Sequence, residues 1–261
     1  MNKIYYVMCI LMIILLIIIF NTPNVSGEQN ISKYNNIIKT YREKLEEKNL
    51  KSPQIENILT VNPINIIDNF ISLNDCDELI KMSEGRFVES KVGKSHQENN
   101  KIRTSKSLIF KKSENDLIKK IENKVGNLLN VNENQIEQIQ MTKYNKDNLY
   151  MAHYDFFASY KEKENFKDND RIQTIIVYLN DLDESDGGAT YFPYHKIRLY
   201  PFKSRAIHFI DRYKDDSNHQ IYTEPNYHSN YNLMSFHKGE PILTDKTKYI
   251  LNIWIWKKPK N

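Results

Sequence analysis

The sequence predicts an α+β fold, mainly β: a jelly-roll-type sandwich with helices packed on one of its sheets. Two observations carry this. Two helical segments come first and many short strands follow them, the order expected when helices cover a sheet that closes on a second sheet. The later segments also alternate apolar and polar residues at the strand period. A chain of 261 residues suits one large domain or two small ones. It shows no internal repeat.

Taken in order, residues 65–71 read as a strand. Residues 72–80 then read as a helix start, with Asn74 as the N-cap and acidic residues in the first turn. Residues 103–110 form a second strand. Residues 114–129 are helical on the spacing of Leu117, Ile118, Ile121, Val125, Leu128 and Leu129. Strands follow over residues 136–144, 171–179, 189–193, 205–211, 233–237 and 248–256, with a loop at Ser185-Asp186-Gly187-Gly188.

Ahead of this domain, residues 4–20 are an unbroken apolar run behind Lys3. The run is at the short end for a bilayer span and long for the core of a cleaved signal. Small residues at Val25-Ser26-Gly27 offer a cleavage point. Residues 1–27 therefore read as a signal anchor or a signal peptide, with the anchor favoured. That reading implies membrane attachment through the N-terminal segment and places the rest of the chain in the lumen of the endoplasmic reticulum or secretory pathway. A virion location is the alternative for a viral source. Residues 28–60 are polar, and read either as a stem or as an amphipathic helix over residues 32–48. Residues 61–261 form the main domain. Asn24 and Asn30 sit in glycosylation sequons. Cys9 lies in the apolar run and Cys76 is the only other cysteine, so no disulfide forms within the domain. Cys76 reads as a small buried apolar residue. The net charge of +4 is small and interspersed, which argues against a nucleic-acid partner.

The chemistry-bearing stretch is Tyr150-Met151-Ala152-His153-Tyr154-Asp155-Phe156-Phe157. In a strand, residues two apart share a face, so His153 and Asp155 stand side by side. One more histidine completes a 2-His-1-carboxylate triad, the ligand set that leaves open positions on Fe(II). Of the seven histidines, His237 stands out: it ends a strand and Lys238-Gly239-Glu240-Pro241 marks a turn after it.

A set of ordered motifs supports this. Asp68-Asn69-Phe70-Ile71-Ser72, Arg103-Thr104-Ser105 and the spacing of Tyr144, Tyr150, His153 and Asp155 come first. Arg171-Ile172-x-Thr174, Gly187-Gly188-Ala189-Thr190-x-Phe192-Pro193 and Lys248-Tyr249-x2-Asn252-x-Trp254 follow. In this order they resemble the prolyl 4-hydroxylase branch of the 2-oxoglutarate- and Fe(II)-dependent dioxygenases, over roughly residues 62–254. The resemblance implies a double-stranded β-helix, with His153, Asp155 and His237 as catalytic iron ligands. It implies Lys248 as anchor of the distal 2-oxoglutarate carboxylate, with Tyr144 and Thr174 helping to bind it. Lys246 is weighed beside Lys248, because the step from His237 is one residue longer than the family's usual spacing. Glycines usual near Asp147 and Ser204 are absent. Fe(2+), 2-oxoglutarate, O2 and L-ascorbate are the implied cofactors and co-substrates, and a proline-rich or collagen-like polypeptide the implied partner. The implied reaction converts peptidyl proline to 4-hydroxyproline, with succinate and CO2 as co-products. The alternatives are the same chemistry on another residue, or an inactive module that binds proline-rich peptides. The tyrosine-rich stretch 213–231 reads as part of a peptide groove or as a solvated insertion.

Overall fold

The computed structural model describes residues 64–91, 102–157, 169–193, 195, 197–212, 232 and 235–260. In chain order the elements are β1 (Asn65–Ile67), α1 (Leu73–Met82), β2 (Val88–Glu89), β3 (Lys106–Ile109), α2 (Asp116–Leu129), β4 (Gln140–Tyr144), β5 (Tyr150–His153), β6 (Arg171–Tyr178), β7 (Thr190–Phe192), β8 (Ile197–Leu199), β9 (Ala206–Ile210), β10 (His237–Gly239) and β11 (Lys248–Trp256). They build two sheets. The larger has the order β1-β9-β6-β11-β4-β3-β2 and the smaller β5-β10-β7-β8, and every pairing between these strands is antiparallel. This is the mainly β, double-stranded β-helix architecture expected from the sequence, with two helices ahead of most of the strands.

The central strands sort their residues by parity, because successive side chains leave a strand on opposite faces. On β6 and β11, Ile175, Val177, Leu251, Ile253 and Ile255 join one core with Leu117, Ile118, Ile121 and Val125 of α2 and Leu79 of α1. Ile176, Tyr178 and Ile250 join the other core, with Phe192 of β7 and Phe209 of β9. Each such side chain contributes about 1.5–3 kcal/mol on leaving water. One face of the large sheet is therefore closed by helices, and the other faces the small sheet and the site.

Helix α1 starts two residues earlier than expected. Ser72, not Asn74, is the N-cap: its hydroxyl accepts from Asp75 N while the Asp75 carboxylate accepts from Ser72 N. The reciprocal pair satisfies two donors that the helix itself leaves open. Helix α2 is capped by Asn115, whose side chain accepts from Ile118 N, and it ends on Asn130 in the left-handed region. Several strands are shorter than the alternation suggested. Arg103 makes only an isolated bridge to Tyr150, and β3 begins at Lys106. His237 opens β10 and does not close a strand; Pro241, which has no N–H to donate, lies just past the strand's end. Asp147 and Ser204, where the sequence lacks the family's usual glycines, both take positive φ, 64° and 71°.

The expected signal anchor is overturned: among the described residues no helix is long and apolar enough to cross a membrane. Residues 4–20, the 28–60 stem and the 213–231 loop lie outside the described residues. The transmembrane assignment, the membrane partner and the endoplasmic-reticulum or secretory location rested on that anchor and fall with it. Cys76 is buried and free, within the core that α1 shares with the large sheet.

Candidate metal and co-substrate site

The site is built where β5 and β10 pair. Their register sets His237 directly opposite His153. β5 ends at His153, so Asp155 sits on the bend after the strand and turns its carboxylate back toward both rings. One oxygen lies 3.5 Å from His153 Nε2 and the other 3.8 Å from His237 Nε2. One ligand atom from each of the three residues falls within 4.8 Å of the others.

Each imidazole is oriented from behind. Nδ1 of His153 lies 2.8 Å from the Met151 carbonyl, and Nδ1 of His237 lies 2.8 Å from the Ser235 carbonyl. A carbonyl only accepts, so both Nδ1 atoms carry the hydrogen. In the neutral rings the Nε2 lone pairs then point at a carboxylate. Burial, with His153 beside it, pushes the His237 pKa down to about 4, so that ring is neutral at pH 7. Burial alone would raise the Asp155 carboxyl; its neighbours His237 and His153 outweigh that and hold it well below the usual carboxylate range. Two lone pairs and an anion converging without a cation repel one another. The donor set therefore fits a divalent metal, with backbone carbonyls supplying the outer contacts that fix ligand tautomers. Tyr150 stacks on His153 at 3.6 Å, and Phe209 and Phe192 wall His237.

The triad opens on a cavity of about 830 Å3, which Lys248 also lines. Lys248 is 2% exposed. Its Nζ donates to the Gly188 carbonyl at 2.6 Å and lies over the rings of Tyr144 and Tyr178. Burial lowers its pKa to about 7. A buried amine held only by a carbonyl and two aromatic faces fits an anionic ligand, since a buried charge needs a charged partner. Lys246 does not compete: its Nζ pairs with Asp186 at 2.7 Å on the surface. Tyr144 stands opposite Lys248 across β4 and β11.

Thr174 does not join this group, and its expected part in binding 2-oxoglutarate is corrected. It pairs with Trp254, and the stretch of β11 from Lys248 to Trp254 spans about 20 Å. Its hydroxyl lies between Asp155 and Asp211 instead. Thr190, whose hydroxyl accepts from the Tyr178 phenol at 2.8 Å, lines the same cavity as Lys248. The motif Gly187-Gly188-Ala189-Thr190 held that signal; Asp211 carried none. Of the other histidines, His208 is held by Asn65 and Gln173, away from the triad. Arg171 pairs with Glu137 through two nitrogens at 3.0 and 2.9 Å and covers the Trp254 ring.

Residues 139–256 match the 2OG-Fe(II) oxygenase superfamily. They form a 2OG-Fe(II) oxygenase domain. Relatives of this oxygenase domain include prolyl 4-hydroxylases. Probable prolyl 4-hydroxylase 8 of Arabidopsis thaliana is 29% identical over 133 residues, 49% of this chain and 44% of its own length. The chain thus spans less than half of that plant protein. The putative prolyl 4-hydroxylase of Acanthamoeba polyphaga mimivirus is 27% identical over 192 residues, 72% of each chain. The crystal structure of a viral collagen prolyl hydroxylase from Paramecium bursaria Chlorella virus-1, in its 2OG complex, superposes with a TM-score of 0.55 at 26% identity. That match covers 74% of this chain and 94% of the other.

Proposed function

We propose that this oxygenase domain hydroxylates peptidyl proline to 4-hydroxyproline in proline-rich or collagen-like polypeptides, converting 2-oxoglutarate and O2 to succinate and CO2. The observation that carries the reading is the meeting of His153, Asp155 and His237, with the buried Lys248 amine on the same cavity. In this reading His153 and His237 ligate through Nε2 and Asp155 through a carboxylate oxygen. Bound there, Fe(II) supplies the activation of dioxygen. Lys248 pairs with the distal carboxylate of 2-oxoglutarate, and Tyr144 and Thr190 flank that end of the cavity. Tyr150, Phe209 and Phe192 hold the imidazoles by ring contact. The aromatic lining contributed by Tyr150, Tyr154, Phe156 and Trp254 suits an extended proline-rich segment, whose apolar rings pack on aromatic faces. Ascorbate as the reductant that restores Fe(II) after uncoupled turnover belongs to the same proposal.

The test supplies Fe(II), 2-oxoglutarate and ascorbate with proline-rich peptides, and reads succinate and peptide mass together. Peptide-dependent succinate and hydroxylated proline, both lost in His153→Ala, are expected. Succinate with another residue oxidised would move the chemistry to a different target. A folded protein that binds peptide yet makes no succinate would be a binding module.

A further inference from the structure

Behind the metal site lies a second carboxyl group to which the proposed reaction gives no role. Thr174 Oγ1 is 2.9 Å from Asp155 Oδ2 and 2.7 Å from Asp211 Oδ2, and Thr174 and Asp211 are both fully buried. A threonine hydroxyl has one hydrogen to give. It cannot donate to both carboxylates, so one of the two acids must supply the second hydrogen. Asp155, read as the carboxylate of the metal-ligand set, is the one that stays ionised. Asp211 Oδ1 has no hydrogen-bond partner among the described residues, and an anion buried with so little support is costly. The Arg171 guanidinium, whose charge favours the ionised form, pairs instead with Glu137 and the Asp155 carbonyl, and Arg212 pairs with Asp170.

We propose that Asp211 is a neutral carboxylic acid that donates to the Thr174 hydroxyl, which in turn donates to Asp155 and so fixes the carboxylate against the metal. Burial, and then the like charge of Asp155, drive the Asp211 pKa in the same direction, well above the usual value. Asp211 and Thr174 are positioning residues and touch no substrate. The chain runs one way, from acid to hydroxyl to carboxylate, and it spends the Asp155 oxygen that faces Thr174 so that its partner oxygen is left for the metal. The inference rests on reading Asp155 as a metal ligand.

Co(II) titration and infrared spectroscopy test it on the full chain. Thr174→Val and Asp211→Leu are expected to weaken Co(II) binding about tenfold or more, the usual effect of losing an outer contact of a metal ligand. Thr174→Ser and Asp211→Asn retain a donor at each step and should stay within about threefold of the wild type. The metal-free protein should show the C=O stretch of a protonated carboxylic acid, absent from Asp211→Asn and shifted in Thr174→Val. Asp211→Asn binding as weakly as Thr174→Val, or no acid band in the wild type, would overturn the inference; neither depends on Asp211→Leu folding. Wild-type protein that fails to bind Co(II) would overturn the metal reading instead, and the infrared band then decides the state of Asp211 by itself.

Discussion

At Lys248 one side chain serves two opposed demands. Burial holds its pKa at about 7, against 10.5 for a free lysine. Between these values the unfolded chain binds a proton that the folded chain does not, so stability rises with pH through that window. A carboxylate beside the amine favours the charged form, so 2-oxoglutarate binding above pH 7 takes up a proton. Affinity should then fall by up to about tenfold per pH unit above 7. Calorimetry in buffers of different ionisation enthalpy reads that uptake directly. Lys248→Met removes the burial cost and the partner together: the ligand-free protein should melt higher at pH 7, while 2-oxoglutarate binding loses about 3–5 kcal/mol. Asp147 gives a separate prediction. It sits at φ 64°, where a side chain is strained. Asp147→Gly should stabilise the fold by up to about 1 kcal/mol in denaturant titration, relief of strain exceeding the added chain entropy.

At the scale of elements, the tight turn between the short helical turn at Glu184–Asp186 and β7 holds Lys248's partner in place. Gly187 has φ 71°, and a Cβ there would lie 2.5 Å from the Pro241 carbonyl oxygen. That oxygen accepts from Gly188 N, and Gly188 O accepts from Lys248. Gly187→Ala should therefore cost about 2–4 kcal/mol of stability and weaken 2-oxoglutarate binding with it, read by melting and by titration. The same turn shows what the sequence could tell. Its Gly-Gly-Ala-Thr motif is legible because local backbone geometry demands it. The parity of β6 and β11 is legible as well, since alternation is local. The depth of a residue along its strand is not, because pairing register fixes it and register is a long-range property. Thr174 was therefore assigned to the right face and the wrong end. Asp211 was read as no more than a strand terminus, because only the pairing of β9 with β6 brings it to Thr174. The N-cap at Ser72 was missed by two positions, since Ser72 and Asn74 both carry capping side chains and the choice rests on Asp75 reaching back.

For the whole molecule, the three proposed ligands come from β5, the bend after it and β10, so a bound ion would tie together segments far apart in sequence. Metal that binds only the folded chain stabilises it by mass action, about 2.7 kcal/mol at a hundredfold excess over its Kd. Adding Mn(II) should raise the melting temperature, EDTA should reverse the rise, and His237→Ala should abolish it. Below about pH 4 His237 is protonated and the rise should vanish in the wild type as well. The division of labour along β11 then limits how this protein can change in length. Its odd-numbered residues from 251 meet the helices, and its even-numbered residues from 248 to 254 line the cavity. One residue gained or lost inside that strand would exchange oil for amine across the sheet, so evolution can edit it only letter by letter. The loop at residues 244–247 sits outside this constraint, so a change of length between His237 and Lys248 would be tolerated there.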